Sequence, residues 1–201
     1  RLNGLLTTGR LRQLVIDMET AVEILEQNLS KLPPPLIWAY GFSSFIREDA
    51  IAWLGEDLDE NSKYQETLVS IAKKYNHLDL DFWSYYPIVV RYSLTGHYDK
   101  IKMLQEKLMN MVKRLGKPIQ HENRFNICLA FAAIQNGQLL EAKSMVKKIV
   151  ELGQRLGNPH QQANGMILEG MIFLEENKVN DAIELFLQAV SLSQTPEGKL
   201  K

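Results

Sequence analysis

The chain has 201 residues, of which 45% are hydrophobic and 23% are charged, a composition typical of a soluble globular protein and unlike that of a disordered one. Its 23 lysines and arginines nearly balance its 24 aspartates and glutamates, so the formal net charge of -1 gives no general attraction to nucleic acids or anionic membranes. No apolar run reaches the roughly 18 residues of a membrane-spanning helix. We therefore predict no membrane association and no direct nucleic-acid binding.

The single cysteine, Cys128, lies in an apolar run and cannot form an internal disulfide. This setting predicts a buried thiol and a reducing, cytoplasmic location. The sequence starts at Arg1, with neither an initiator methionine nor the apolar core of a signal peptide. We therefore expect a fragment of a larger cytoplasmic protein.

Apolar residues recur at three- and four-residue spacing along most of the chain, which predicts amphipathic helices. Residues 1–8 resemble the end of a helix, and residues 10–32 form the next one, which three successive prolines stop. Residues 36–54 form a further helix, in which Gly41 is a candidate for a kink or a break. Its aromatic residues are more typical of packing between hairpins than of a ligand cage. These residues are Trp38, Tyr40, Phe42, Phe45 and Trp53.

Residues 55–61 form an acidic turn, after which residues 62–76 and 79–95 continue the helical pattern. Pro87 lies in the middle of the second of these segments. A proline in a helix interior costs about 3 kcal/mol relative to alanine. The helix is therefore expected either to kink at Pro87 or to begin near Tyr86.

The turns between the predicted helices repeat at a nearly constant spacing. Gly55, Gly96 and Gly137 follow one another at intervals of 41 residues, and Asn177 follows after 40. The helix ending RLGKP recurs 41 residues later as RLGNP, and its glycine is expected to adopt the left-handed cap conformation. A period near 40 residues predicts a series of helix pairs.

The last unit, residues 163–194, carries small and large residues in a fixed order. Counting from Ala163 as the first position, Gly170 is the eighth, Ala182 the twentieth and Phe186 the twenty-fourth. This pattern resembles the tetratricopeptide repeat, in which small residues let two helices approach closely. Phe186 is then expected to fill the space between this hairpin and the one before it.

The helix endings and the long period resemble the sensor arrays of maltose-activator-like signal-transducing ATPase regulators, and almost equally the arrays of peptide-pheromone receptors and of kinesin light chain. The resemblance implies an all-α fold, a right-handed superhelix (solenoid) of antiparallel helix hairpins. The hairpins would occupy residues 36–78, 79–119, 120–159 and 160–195, after a partial repeat at residues 1–35 and before a tail at residues 196–201.

In such a superhelix the first helix of each hairpin lines the concave face. By this resemblance, the residues that bind a ligand or partner are Trp83, Tyr86, Arg124, Phe131, Asn164 and Met171. Arg124 would pair with a carboxylate, and Asn164 would hydrogen-bond a peptide backbone. The alternative for Trp83, Phe131 and Met171 is that they belong to the core between repeats.

The sequence offers no catalytic motif, metal-binding motif or cofactor signature. The four histidines are His77, His97, His121 and His160. They fall near turns of different repeats, which argues against a shared metal site. Asp57, Asp59 and Asn61 begin like a calcium loop, but the sixth position is not glycine and the twelfth is not glutamate. We therefore predict no enzyme activity, no metal and no cofactor.

The leading hypothesis is a non-catalytic module of a larger, bacterial, cytoplasmic signalling or transcription regulator, which recognises a protein or peptide partner or a small-molecule effector. One alternative is a free-standing scaffold that binds a peptide or self-associates through exposed solenoid ends, and a helical enzyme is a weaker one. The lysines of the second helices, among them Lys143, Lys147 and Lys148, form either a solvated surface or a docking surface for an acidic domain or nucleic acid.

Overall fold

The computed structural model describes residues 10–56 and 63–193, and the regular secondary structure in these residues is helical. In chain order the α-helices are α1 (Leu11–Glu26), α2 (Pro34–Trp53), α3 (Lys63–Lys74), α4 (Leu78–Leu94), α5 (Tyr98–Arg114), α6 (Ile119–Gln135), α7 (Leu139–Arg155), α8 (Pro159–Glu175) and α9 (Val179–Ser193). A short 3₁₀-helix at Leu29–Lys31 follows α1. The predicted all-α fold is confirmed. The helix end at residues 1–8, the calcium-like residues 57–61 and the tail at residues 196–201 lie outside the described residues.

The chain divides into two compact units. Unit 1 comprises residues 1–91 and 106–117, and unit 2 comprises residues 92–105 and 118–201. Helices α1 to α3 therefore belong to unit 1 and helices α6 to α9 to unit 2, whereas α4 and α5 contribute residues to each.

The periodic turns share one backbone conformation. Gly55, Gly96, Gly137 and Asn177 have φ values of 72°, 72°, 70° and 61°, directly after α2, α4, α6 and α8. After all four of these helices the next N–H donates to the carbonyl five residues back, as in the 2.8 Å bond from Gln138 to Ala133. Gly116 and Gly157, with φ values of 81° and 57°, confirm the predicted left-handed cap. The sequence period therefore reflects a repeated way of ending helices.

Two helices of unit 1 continue through residues that were expected to disturb them. Helix α2 is not split at Gly41, where an added Cβ would lie 2.7 Å from Leu80 Cδ2, so the glycine allows α4 to approach closely. Helix α4 runs through Pro87 from its start at Leu78. The expectation that this helix begins near Tyr86 is therefore wrong.

The aromatic residues of α2 divide between the core and the surface of unit 1. Tyr40 and Phe45 are each 1% exposed, whereas Trp38 is 39% and Trp53 is 47% exposed. Trp38 stacks on Phe42 at a centroid distance of 4.8 Å. The first half of the helix thus packs by one face, whereas residues 48–52 are all buried. Tyr40 joins a core cluster with Val22, Ile37 and Ile71 from α1, α2 and α3.

Unit 1 also buries a group of charged side chains. Arg91 of α4 and Glu48 of α2 are each 1% exposed, and Arg91 Nη2 lies 2.7 Å from Glu48 Oε2. Arg47 Nη1 donates to the other oxygen of Glu48 at 2.8 Å, and Arg47 Nη2 reaches Glu19 of α1 at 3.1 Å. These ion pairs join α1, α2 and α4. They also supply the charged partners that a buried carboxylate such as that of Glu48 requires.

Unit 2 is built from successive packed helices. Helix α6 contacts both α7 and α8, and α8 contacts both α7 and α9. Gly170 of α8 is buried, and a Cβ there would lie 2.6 Å from the ring of Phe186 in α9. Gly170 and Ala182 therefore occur where the last two helices pack closely, as expected. The contact that the structure shows for Phe186 lies within the α8–α9 pair, however, and its side chain is half-buried.

Candidate ligand-binding grooves

Two of the residues predicted to bind a ligand lie in the core of unit 1. Trp83 and Tyr86 of α4 are 6% and 5% exposed. The ring of Trp83 packs against Phe45 at 4.7 Å and against Tyr86 at 5.7 Å. These rings pack against each other and present little surface to a ligand.

The other four predicted residues lie on α6 and α8 of unit 2. Arg124 is exposed, and Phe131, Asn164 and Met171 are half-buried. Near Arg124, the imidazole of His160 at the start of α8 has a lowered pKa, because partial burial and then the charge of Arg124 disfavour its protonated form. The structure thus brings Arg124 close to a titratable group.

We expect the substitution Arg124→Gln to raise the pKa of His160 while leaving it below the ordinary value of 6.5, because partial burial, the larger cause, remains. The lowered pKa means that the unfolded chain binds this proton more readily, so the contribution of His160 to stability falls as the pH falls below about 6.5. NMR titration of the His160 ring measures the change. Arg155→Gln serves as the control, and an unchanged pKa in Arg124→Gln would place the two groups apart.

Potential metal-ligating side chains are dispersed over residues 10–56 and 63–193. In these ranges, histidine, cysteine, aspartate and glutamate side chains form no group of three or more that could hold a metal ion. None of the described helices combines the length and apolar composition needed to cross a bilayer. Cys128 is buried, as predicted, and its carbonyl accepts a 3.0 Å hydrogen bond from Ser93 Oγ.

One groove of unit 2, which we call the polar groove, lies between α6 and α7 and has a volume of about 380 Å³. From α6 it is lined by Ile119, Glu122, Asn123 and Asn126, and from α7 by Lys148, Ile149, Glu151, Leu152 and Arg155. Asn123 and Ile149 are 2% and 1% exposed and form its floor, whereas the four charged residues are exposed at its rim.

A second groove of unit 2, the apolar groove, lies between α7 and α8 and has a volume of about 340 Å³. Its floor contains Val146 and Ile172, which are 3% and 2% exposed. The half-buried side chains of Val150 and Phe173 complete the apolar lining. This lining is bordered by four charged residues, Lys143, Lys147, Glu151 and Glu169.

The charges around the apolar groove follow the direction of α7. Lys143, Lys147 and Glu151 are spaced four residues apart, so they share one face of the helix. Lys143 pairs with Glu176, which also accepts a 2.7 Å bond from Lys178, and both lysines lower the pKa of Glu176. Beside the groove, Lys143 is therefore already paired, whereas Lys147 and Glu151 are in only a loose contact of 3.9 Å with each other.

The basic second-helix surface suggested by the sequence is partly neutralised in the structure. Lys102 Nζ lies 2.6 Å from the Glu141 carboxylate, whereas Lys107 keeps its charge and donates to the neutral hydroxyl of Tyr85 at 2.5 Å. Lys147 lies 3.9 Å from Glu151. Exposed pairs of this kind contribute about 0–1 kcal/mol each. Glu141 and Glu151 therefore offset part of the positive charge of this surface.

The sequence predicts neither groove, because its candidate residues lie on the expected concave face of α4, α6 and α8. The spacing of Lys143, Lys147 and Glu151 around Val146 and Val150 is the one signal that could have indicated the apolar groove. No protein-family model, curated protein or solved structure matches the chain.

Proposed function

We propose that this chain is a non-catalytic, tetratricopeptide-like interaction module of a larger regulator, and that it binds a peptide segment of its partner in the apolar groove. The repeated helix caps and the packing of α6 against both α7 and α8 support a repeat arrangement. The apolar groove carries the proposal for binding, because it combines a buried apolar floor with an ordered set of charges.

The shape of the groove favours an apolar anchor residue on the partner. Val146 and Ile172 close its floor, and the half-buried Val150 and Phe173 leave apolar surface accessible at its sides. Covering apolar surface contributes about 25 cal/mol per Å² removed from water. One large apolar side chain therefore fits the role of the central anchor.

The charges of the groove indicate what should flank that anchor. An acidic side chain would face Lys147, since Lys143 already pairs with Glu176, and a basic one would face Glu151 and Glu169. Such a sequence, acidic, apolar and basic at successive turns, is available to a short amphipathic helix. We infer that the partner segment has this order of residues.

Selection from a displayed library of random 12-residue peptides tests this function. We expect the selected peptides to share one large apolar residue with an acidic residue on one side and a basic residue on the other. They should bind the variant Phe173→Ala at least about tenfold more weakly, because the anchor loses its apolar wall. Leu140→Ala is the control, since Leu140 is 87% exposed on the same helix α7 and does not line the groove.

Sedimentation velocity should precede the selection, because α9 exposes a row of apolar residues to which a second copy of the chain could bind. Val179, Ile183 and Leu187 are 53%, 49% and 65% exposed and are spaced four residues apart. A stable dimer that Leu187→Glu dissociates would favour a self-associating scaffold.

Peptides without a shared motif, or with equal affinity for Phe173→Ala, would contradict binding in the apolar groove.

A further inference from the structure

We propose that the polar groove between α6 and α7 is a site for a small zwitterion, a free α-amino acid or a dipeptide with an apolar side chain. This ligand class differs from the peptide segment proposed for the apolar groove, and the two grooves share Glu151 in their lining. The floor, the rim charges and the volume of the groove each support the assignment.

The floor of the groove contains a hydrogen-bond donor that lacks an acceptor. Asn123 is 2% exposed, and its Nδ2 atom is buried without a hydrogen-bond partner. A buried polar atom that remains unpaired is destabilising and is uncommon in native proteins. This atom has almost no accessible surface in the structure, so it would pair with a ligand carboxylate or carbonyl oxygen after the Asn123 side chain rotates toward the groove.

The rim offers charges of both signs to one ligand. Lys148 and Arg155 are seven residues apart on α7, so they lie on the same face of the helix, with Glu151 between them. Glu122 lies across the groove on α6. Within the part of the chain that the structure describes, Glu122, Lys148 and Arg155 take part in no salt bridge, and Glu151 has only the 3.9 Å contact with Lys147. The two cations suit a ligand carboxylate, and the two carboxylates suit a ligand ammonium group.

The size and the remaining lining limit the ligand further. A volume of about 380 Å³ falls near the lower end of the range of about 300–1,000 Å³ found for small-molecule sites. Ile119, Ile149 and Leu152 provide apolar surface beside the charges. The ligand therefore carries an apolar side chain in addition to its two charged groups.

NMR titration of the ¹⁵N-labelled chain tests the assignment with four probes: L-leucine, L-leucyl-L-leucine, N-acetyl-L-leucine and L-leucinamide. We expect leucine or its dipeptide to shift the side-chain amide resonances of Asn123 and the neighbouring amides of α6 and α7. The last two probes each lack one charge, so they should bind about tenfold more weakly than leucine or more. Absence of shifts at millimolar leucine and dileucine would overturn the proposal, as would equal binding of the neutralised probes.

Matched variants separate the role of each group. Arg155→Gln should weaken leucine binding but not leucinamide binding, and Glu122→Gln should weaken leucine binding but not N-acetyl-leucine binding. Asn123→Leu should abolish leucine binding while the melting temperature stays equal or rises, because the unpaired donor is removed. Retained binding in Asn123→Leu would contradict the role of the floor. Phe173→Ala should leave leucine binding unchanged, so a failure of the apolar groove is distinguishable from a failure here.

Discussion

The substitution Glu48→Gln is expected to lower the free energy of unfolding by about 3–5 kcal/mol, because it removes the carboxylate charge that the buried guanidinium of Arg91 pairs with. Arg91 and Glu48 are each 1% exposed and are 2.7 Å apart, so solvent cannot replace the lost interaction. Arg47, which is 12% exposed, loses the same carboxylate charge. Denaturant unfolding followed by circular dichroism measures the change.

The control for this prediction comes from the same group of charges. Glu19 pairs with Arg47 at 3.1 Å but is 43% exposed, so Glu19→Gln should cost less than about 1 kcal/mol. The double variant Glu48→Leu with Arg91→Leu should recover most of the stability lost in Glu48→Gln, because it removes both charges of the buried pair. Equal losses for Glu48→Gln and Glu19→Gln would contradict the burial of this ion pair.

The substitution Gly153→Leu is expected to cost about 3 kcal/mol, because it inserts a side chain where α7 meets the start of α8. A Cβ atom at Gly153 would lie 2.9 Å from the backbone nitrogen of Gln162 and 3.1 Å from the carbonyl carbon of Gln161. A backbone neighbour cannot move aside as a flexible side chain can, so the two helices must separate. Thermal and denaturant unfolding measure the loss.

The neighbouring position provides a matched control for Gly153. Gln154 is exposed on the same helix, and Gln154→Leu should change the stability by no more than about 0.5 kcal/mol. Because α7 forms a wall of both grooves, Gly153→Leu should also weaken binding of the selected peptides. A Gly153→Leu variant as stable as the wild-type chain would show that α7 and α8 do not approach as described.

The helices and their ends were predictable from the sequence because they depend on local interactions. Apolar spacing marks the buried face of a helix, and glycine at positions such as Gly116 and Gly157 permits the left-handed cap. The effect of Pro87 was less predictable. The cost of a proline within a helix is known, but whether packing offsets that cost depends on the neighbouring helices.

The buried ion pair and the two grooves were not predictable, because they depend on contacts between distant residues. Glu48 and Arg91 are 43 residues apart, and in the sequence each looks like an ordinary surface charge. The predicted concave-face residues came from a resemblance, which carries positions but not the packing that buries Trp83 and Tyr86. The unpaired amide of Asn123 is likewise visible only once the helices are packed.

Hydrogen–deuterium exchange with and without a selected peptide tests the proposed function most directly, because the two candidate surfaces involve different helices. The apolar groove is formed by α7 and α8, whereas the predicted concave-face residues of unit 2 lie on α6 and α8. Binding in the apolar groove predicts slower exchange in α7 and α8 and unchanged exchange in α6. Protection of α6 with α7 unchanged would contradict this account and favour the concave face that contains Arg124 and Phe131.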